Sequence, residues 1–223
     1  MKLNVTFSEK DLSFRPAYDK TVVMDTAAAK LHAMQEGSLA GAYEDSDLTR
    51  LRMGAFAQCK SLTRVSLPGC EVMNGYRAFY ECENIQTLDF PKLTTIEEGN
   101  YTFYGMANLE QISLPNLTSI QSNFAGTFWN CVKIKQIYLP KLAGTTISNY
   151  AFHYCYCLEA LVLGGDSLNP LANTNAFNGT GTKAARPFEI YVPDGLVETY
   201  KTAQNWSSYA NRIKPLSQWE GLR

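Results

Sequence analysis

The amino-acid sequence predicts an α/β-type solenoid, a stack of short coils with parallel strands on one face and short helical or irregular turns on the other. Three observations carry this expectation. A phenylalanine returns at Phe56, Phe79, Phe103, Phe128, Phe152 and Phe177, in steps of 23, 24, 25, 24 and 25 residues. Behind each of the first five, aliphatic or aromatic residues recur six, nine and eleven positions later: Leu62/Val65/Leu67, Ile85/Leu88/Phe90, Leu109/Ile112/Leu114, Ile134/Ile137/Leu139 and Leu158/Leu161/Leu163. Pro68, Pro91, Pro115 and Pro140 then close each phrase, with Gly164 in the fifth. Self-similarity at this period is the mark of a stacked-coil architecture.

Each element follows from local chemistry. Positions nine and eleven alternate, so their side chains share one face of a short strand. Proline removes an amide donor and ends that strand at the same place each time. "KLTTI" (Lys92 to Ile96) and "NLTSI" (Asn116 to Ile120) then turn a second apolar pair inward, Leu93/Ile96 and Leu117/Ile120. One coil cannot bury its apolar side alone; stacking makes the interior continuous and equivalent strands parallel.

The ends depart from the phrase. Residues 1–36 read as an N-terminal segment with a strand at "LNVTF" and a helix from Ala27 to Glu36 capped by Thr26. The coils are expected over 37–193, the first of them worn, with "GSLAG" (Gly37 to Gly41) as its strand. After Phe177 the ladder breaks at "NGTGTKAAR" and recovers at "FEIYVP", shifted by four positions. Residues 194–223 are expected to cap the stack through a helix at "DGLVETYKTAQNW", with Trp206 and Ile213 over the open end.

Composition excludes several classes. A net charge of −1 gives no electrostatic basis for binding nucleic acid or anionic membrane. No apolar run is long enough to predict insertion into a bilayer. The start, "MKLNVTFSEKDLSF", has no apolar stretch of signal-peptide length.

Three residues after each phenylalanine stands Cys59, Cys82, Met106, Cys131 or Cys155. A residue three positions on shares a face of a helical turn, and a slot that accepts methionine is apolar. Buried, unpaired thiols are therefore expected. Bridges between Cys59 and Cys82 and between Cys131 and Cys155 remain the alternative, given an oxidising compartment. Cys70 falls in an inward column, and Cys157 is the thiol expected nearest the surface. "HYCYC" (His153 to Cys157) lacks the paired ligands of a zinc site, so no metal is expected. No nucleophile motif, carboxylate pair or phosphate loop occurs, so neither catalysis nor a cofactor is expected.

Two columns remain as candidate binding surfaces. One position after the phenylalanine stand Tyr80, Tyr104, Trp129 and His153, about 100° from the inward face of a helical turn. Such a flank of rings suits protein or glycan recognition; equally, it could be lateral packing between coils. The second surface is the outward strand face, where Gln111, Gln136 and Tyr138 stand. Solenoids often bind on this extended sheet, though such a face can also be simply solvated.

The phrase AF-x-x-C-x-x-L-x-x-I-x-L-P, carried by Ala55, Phe56, Cys59, Leu62, Val65, Leu67, Pro68 and their equivalents through Leu163, resembles BspA-like leucine-rich repeats of bacteria. The ending "IYVPDGLVETYKTAQNWSSYANRIKPL" is similar to the terminal cap of such arrays in gut Firmicutes and their prophages, and the start resembles prophage structural proteins. Together the resemblance spans residues 37–216. It implies a right-handed leucine-rich repeat superhelix and a non-catalytic interaction module. It also implies adhesion or recognition of a protein or glycan, at the cell surface or on a phage particle. The alternative is a structural spacer in a prophage particle or surface assembly, with no ligand of its own.

Overall fold

The computed structural model describes residues 41–121 and 124–221. Twelve short strands follow one another among these residues: β1 (Gly41–Glu44), β2 (Arg50–Leu51), β3 (Leu62–Ser66), β4 (Val72–Met73), β5 (Thr87–Asp89), β6 (Thr95–Ile96), β7 (Gln111–Ser113), β8 (Ser119–Ile120), β9 (Gln136–Leu139), β10 (Ala160–Leu163), β11 (Glu189–Val192) and β12 (Ile213–Pro215). The described helix α1 spans Val197–Thr202. Every pairing is parallel. A front face carries β1-β3-β5 and then β7-β9-β10-β11-β12, while β2-β4-β6-β8 form a second ladder. The chain is thus a solenoid of coils, each contributing one strand to the front and the first four a shorter one to the side.

Register confirms the expected columns. Val65 pairs with Leu88, Ile112 with Ile137, Ile137 with Leu161, and Leu161 with Ile190. The last match lies four positions beyond the regular spacing, where the ladder was expected to recover. On the side ladder, Leu51, Met73, Ile96 and Ile120 align, and an isolated bridge of Ile147 with Leu171 continues the trend.

The phenylalanines form a single column of rings. Successive centroids from Phe56 to Phe177 lie 5.0, 5.8, 5.1, 5.7 and 5.1 Å apart, with planes within 18° of parallel. Tyr43 closes one end edge-on at 5.2 Å and 71°. At the other, Trp206 and Tyr209 meet Phe177 at 5.8 and 5.0 Å. Each buried ring contributes roughly 1.5–3 kcal/mol, and its neighbours lie above and below it in the stack. The coils therefore stand together.

All six cysteines are unbridged, and five are buried; Cys157 is half-buried. The column is more than filler. The Cys82 thiol donates to Phe56 O at 2.8 Å, Cys131 to Phe103 O at 3.0 Å and Cys155 to Phe128 O at 3.1 Å. In the sixth coil Thr180 takes the same place and donates its hydroxyl to Phe152 O at 2.7 Å. A side-chain donor three residues after one phenylalanine thus serves the carbonyl of the phenylalanine before it. Burial pushes the Cys131 thiol up to about 12 and holds Cys82 and Cys155 well above their ordinary value, so these groups stay protonated donors.

One sequence expectation needs correction here. Among the described residues the first strand is "GAYE", in which Tyr43 pairs with Val65 and fills the inward position. Much of the "GSLAG" segment, like the expected strand "LNVTF" and helix Ala27 to Glu36, lies outside the described residues. The C-terminal cap is less helical than expected. α1 has six residues, and Asn205 at φ 64° separates it from a 3-10 stretch, Trp206–Arg212. The chain then adds β12 to the front sheet beside β11.

The cap is fixed by one buried amide. Asn169 Nδ2 donates to Leu142 O and to the Tyr200 hydroxyl, at 3.1 and 3.0 Å, and its Oδ1 accepts from Thr145 N at 3.0 Å. Its backbone carbonyl accepts the Trp206 indole N–H at 2.8 Å. Asn169, Tyr200 and Trp206 are each fully buried. Every polar atom of the asparagine side chain is thereby used, as a buried amide requires.

Candidate functional site: an aromatic flank and a half-covered strand face

The flank opposite the side ladder is built from a repeated turn. Amide hydrogens two before, at, and two after Phe56, Phe79, Phe103 and Phe128 donate to carbonyls of the following coil. For the second coil these are Arg77 N to Asn100 O at 3.1 Å, Phe79 N to Thr102 O at 2.8 Å and Glu81 N to Tyr104 O at 2.8 Å. Aiming alternate amides along the stack axis puts the residues on either side of the phenylalanine in the left-handed region. Two before it stand Gly54, Arg77, Tyr101, Gly126 and Tyr150, at φ from 53° to 61°. Two after it, Gln58, Glu81, Gly105, Asn130, Tyr154 and Gly179 run from φ 57° to 75°. Glycine occupies such positions without steric cost, whereas a side chain there costs about 1–2 kcal/mol.

Tyrosine at three of these positions enlarges the ribbon expected from the sequence. Tyr80 and Tyr104 stack at 4.8 Å with planes 9° apart. Tyr104 meets Trp129 edge-on at 5.5 Å, and Trp129 meets His153 at 5.5 Å. Tyr101 closes on Tyr104 and Trp129, Tyr150 stacks on Trp129 at 5.1 Å, and Tyr154 covers His153 at 3.7 Å and reaches Tyr156 at 5.4 Å. Cations end the ridge on both sides, with Arg77 5.0 Å from the Tyr80 ring and Lys183 4.5 Å from Tyr156.

Exposure grades along the ridge. Tyr80, Tyr104 and Trp129 are half-buried, Tyr150 and Tyr154 are 37 % and 40 % exposed, and His153 is buried at 8 %. The four rings expected as a ribbon are therefore neighbours, but His153 is its floor rather than its surface. Burial lowers the His153 pKa and keeps the imidazole neutral, and its Nδ1 has no hydrogen-bond partner. Sequence reasoning missed Tyr101, Tyr150, Tyr154 and Tyr156. The available signal was a column that alternates glycine with arginine and tyrosine, which marks positive φ.

The outward strand face is two surfaces. Arg64 and Thr87 are paired and exposed, and Gln111 is exposed. Beside Gln111 opens a polar cleft of about 470 Å³, lined by Asn108, Glu110, Lys133 and Lys135 among others. There Lys135 Nζ holds Glu110 Oε2 at 2.8 Å, which depresses the Glu110 carboxyl and raises the lysine. Toward the C-terminus the same columns close. Gln136, expected to face solvent, is 8 % exposed, and Ala160 and Val162 are 7 % and 1 %. Tyr138 is half-buried, with the Trp219 indole stacked on it at 4.6 Å and 19°. Residues 218–221 lie over the face that Gln136 and Tyr138 were expected to offer.

Among the described residues no group of three or more His, Cys, Asp or Glu could hold a metal ion, and no helix is long and apolar enough to cross a membrane. The arrangement offers ring faces, ring edges and a few cations.

A family model for the BspA type leucine rich repeat region matches in six copies over residues 36–181. A solved leucine rich repeat protein of T. pallidum is similar at 20 % identity, covering 81 % of this chain and 85 % of that one, with a TM-score of 0.49. No curated protein matches the chain.

Proposed function

Because this chain belongs to the BspA type leucine-rich repeat family, we propose that it is a recognition module that captures a protein or glycan ligand on its aromatic flank. Leucine-rich repeat arrays are interaction modules; the finer statement concerns the surface. One observation carries it: tyrosines occupy left-handed positions at 101, 150 and 154, where other coils use glycine, and two of the three are the most exposed rings of the ridge. Residues held in costly backbone conformations cluster where structure serves binding. Packing between coils does not require these rings, since Gly54, Gly126, Gly105 and Gly179 stand at the same positions. Rigid rings on a fixed scaffold give large contact area at little entropy cost.

The backbone offers a clean test. Tyr150→Gly with Tyr154→Gly relieves two left-handed side chains, so the doubly substituted chain is expected to unfold at or near the parent temperature. Its capture of ligands from panels of immobilised surface proteins and glycans should fall at least about tenfold, the loss of roughly 1.4 kcal/mol. Undiminished capture by the folded variant would overturn the reading, and loss of folding would show that these rings serve the stack.

A further inference from the structure

Among the described residues the front sheet is interrupted at one step. β1, β3 and β5 form one ladder and β7 begins another, and no ladder joins β5 to β7 although the two strands are neighbours in the stack. In a parallel sheet each interior strand spends its peptide groups on the strands to either side. Those that β5 and β7 turn toward each other are not spent in this way.

The polar cleft of about 470 Å³ begins at this seam and runs toward the C-terminal coils, from Gln86 of the second to Glu159 of the fifth. That is three strand spacings, or roughly 14 Å at about 4.8 Å each. Small-ligand sites commonly enclose about 300–1,000 Å³, so the cleft has room for one. Every side chain in its lining ends in an amide, a carboxylate or an ammonium, and none is aromatic or branched aliphatic. Protein partners bind chiefly through aromatic and arginine anchors seated in apolar pockets, and this lining gives such an anchor no seat. Glu110 and Glu159 balance Lys133 and Lys135, so the cleft favours neither an anion nor a cation.

Part of the lining is fixed and part is unspent. Asn84 Nδ2 donates to Lys60 O, Asn108 Nδ2 to Asn84 Oδ1 and Lys133 Nζ to Asn108 Oδ1, at 2.8, 3.1 and 2.7 Å. This file runs just ahead of the front strands and holds one wall still. Lys135 Nζ on Glu110 Oε2, at 2.8 Å, ties the middle. By contrast, the amides of Gln86 and Gln111 are exposed and make no side-chain hydrogen bond among the described residues. Each offers two N–H donors and a carbonyl acceptor.

We propose that this cleft is a second binding site, and that its ligand is a short neutral oligosaccharide. Each sugar hydroxyl both gives and takes a hydrogen bond, and each free glutamine amide can answer it in both senses. The Glu110–Lys135 pair supplies an acceptor and a donor already held in place, and the seam adds peptide groups of β5 and β7. Groups fixed before binding cost the complex little further ordering. The site shares no residue with the aromatic flank and does not depend on it.

The test uses the full chain and immobilised oligosaccharides ending in mannose, galactose or N-acetylglucosamine, with sialylated oligosaccharides and acidic and basic peptides alongside. At least one neutral oligosaccharide should be retained, equally at about 0.05 and about 0.5 M salt, since screening weakens only charge-driven binding. Gln86→Ala with Gln111→Ala should lower that affinity at least about tenfold. The unfolding temperature should stay at the parent value, because neither amide is bonded within the fold. Gln86→Glu with Gln111→Glu keeps the shape, removes the donors and should weaken retention as well. A chain carrying Tyr150→Gly and Tyr154→Gly should still hold the neutral oligosaccharide, which tells failure of this site from failure of the flank. Retention of no neutral oligosaccharide overturns the inference, as does retention that survives both pairs of glutamine substitutions. Binding confined to sialylated oligosaccharides or peptides and released by salt overturns it too.

Discussion

The aromatic flank and the outward strand face run side by side along the same stack, and both are built from residues one position away from an inward column. Yet the flank keeps half-buried or exposed rings from Tyr80 to Tyr154 over the buried His153, whereas the strand face is open over Arg64, Thr87 and Gln111 and covered over Tyr138, Ala160 and Val162. The difference does not arise from how the columns are placed, since turn hydrogen bonds fix the flank and strand pairing fixes the sheet in one coil after another. Its origin is the C-terminal segment, which turns over the sheet and leaves the flank alone. In a solenoid, periodicity decides where a side chain points, and the terminal segments decide whether it meets water.

The severest way to break this contrast is to loosen the cap from which residues 218–221 extend. Asn169→Leu strands the Thr145 amide and the Leu142 carbonyl in the interior, while the Tyr200 hydroxyl keeps the backbone N–H of residue 169. Each unsatisfied buried group costs about 1–3 kcal/mol, so a loss of about 2 kcal/mol or more is expected in urea unfolding. The intrinsic fluorescence of Trp206 and Trp219 should change before that of Trp129 if the cap yields first.

A smaller effect tests whether the coils themselves treat the two surfaces alike. Cys131→Ala removes the donor to Phe103 O beneath the flank and should cost about 1 kcal/mol. Cys131→Ser should cost less, since Thr180 shows that a hydroxyl serves the same carbonyl. Equal losses for the two substitutions in thermal unfolding would make the thiol mere filler.

The smallest effect belongs to the floor of the flank. Burial lowers the His153 pKa below its ordinary 6.5, so the unfolded chain takes up a proton that the folded chain refuses. Stability contributed by the neutral ring is complete above pH 6.5 and declines as the pH falls toward the folded value. His153→Phe should flatten the dependence of unfolding temperature between about pH 7 and about pH 5, leaving the carboxylate-driven loss at lower pH unchanged. A steeper slope in the variant would place the charge elsewhere.

The stack was legible because its determinants are local and repeated. Val65, Leu88, Ile112, Ile137 and Leu161 announce one column, each three residues ahead of the proline or glycine that closes its phrase, and the ladders join them as expected. Features that occur once were not legible. Nothing in "SLNPL" marks Asn169 as the hub of the cap, because its partners come from 24 to 37 residues away in sequence. From the sequence, Trp219 falls within the C-terminal cap without a partner residue; the sheet brings Tyr138 beneath it. The rings at 101, 150 and 154 could have been found, since a column that accepts glycine twice is a statement about φ. Their reach toward Trp129 and His153 depends on turn geometry that spacing alone leaves unspecified.

The ring column has one more implication. Each interior phenylalanine sees the same neighbour above and below, and Tyr43 at one end and Trp206 with Tyr209 at the other mark where the column stops. Insertion or removal of a whole coil between Phe79 and Phe152 would leave both terminators untouched and change only the reach of the molecule, by about 4.8 Å each time. The architecture is in that sense a ruler whose length lineages can reset by duplication, with the aromatic ridge scaling in step.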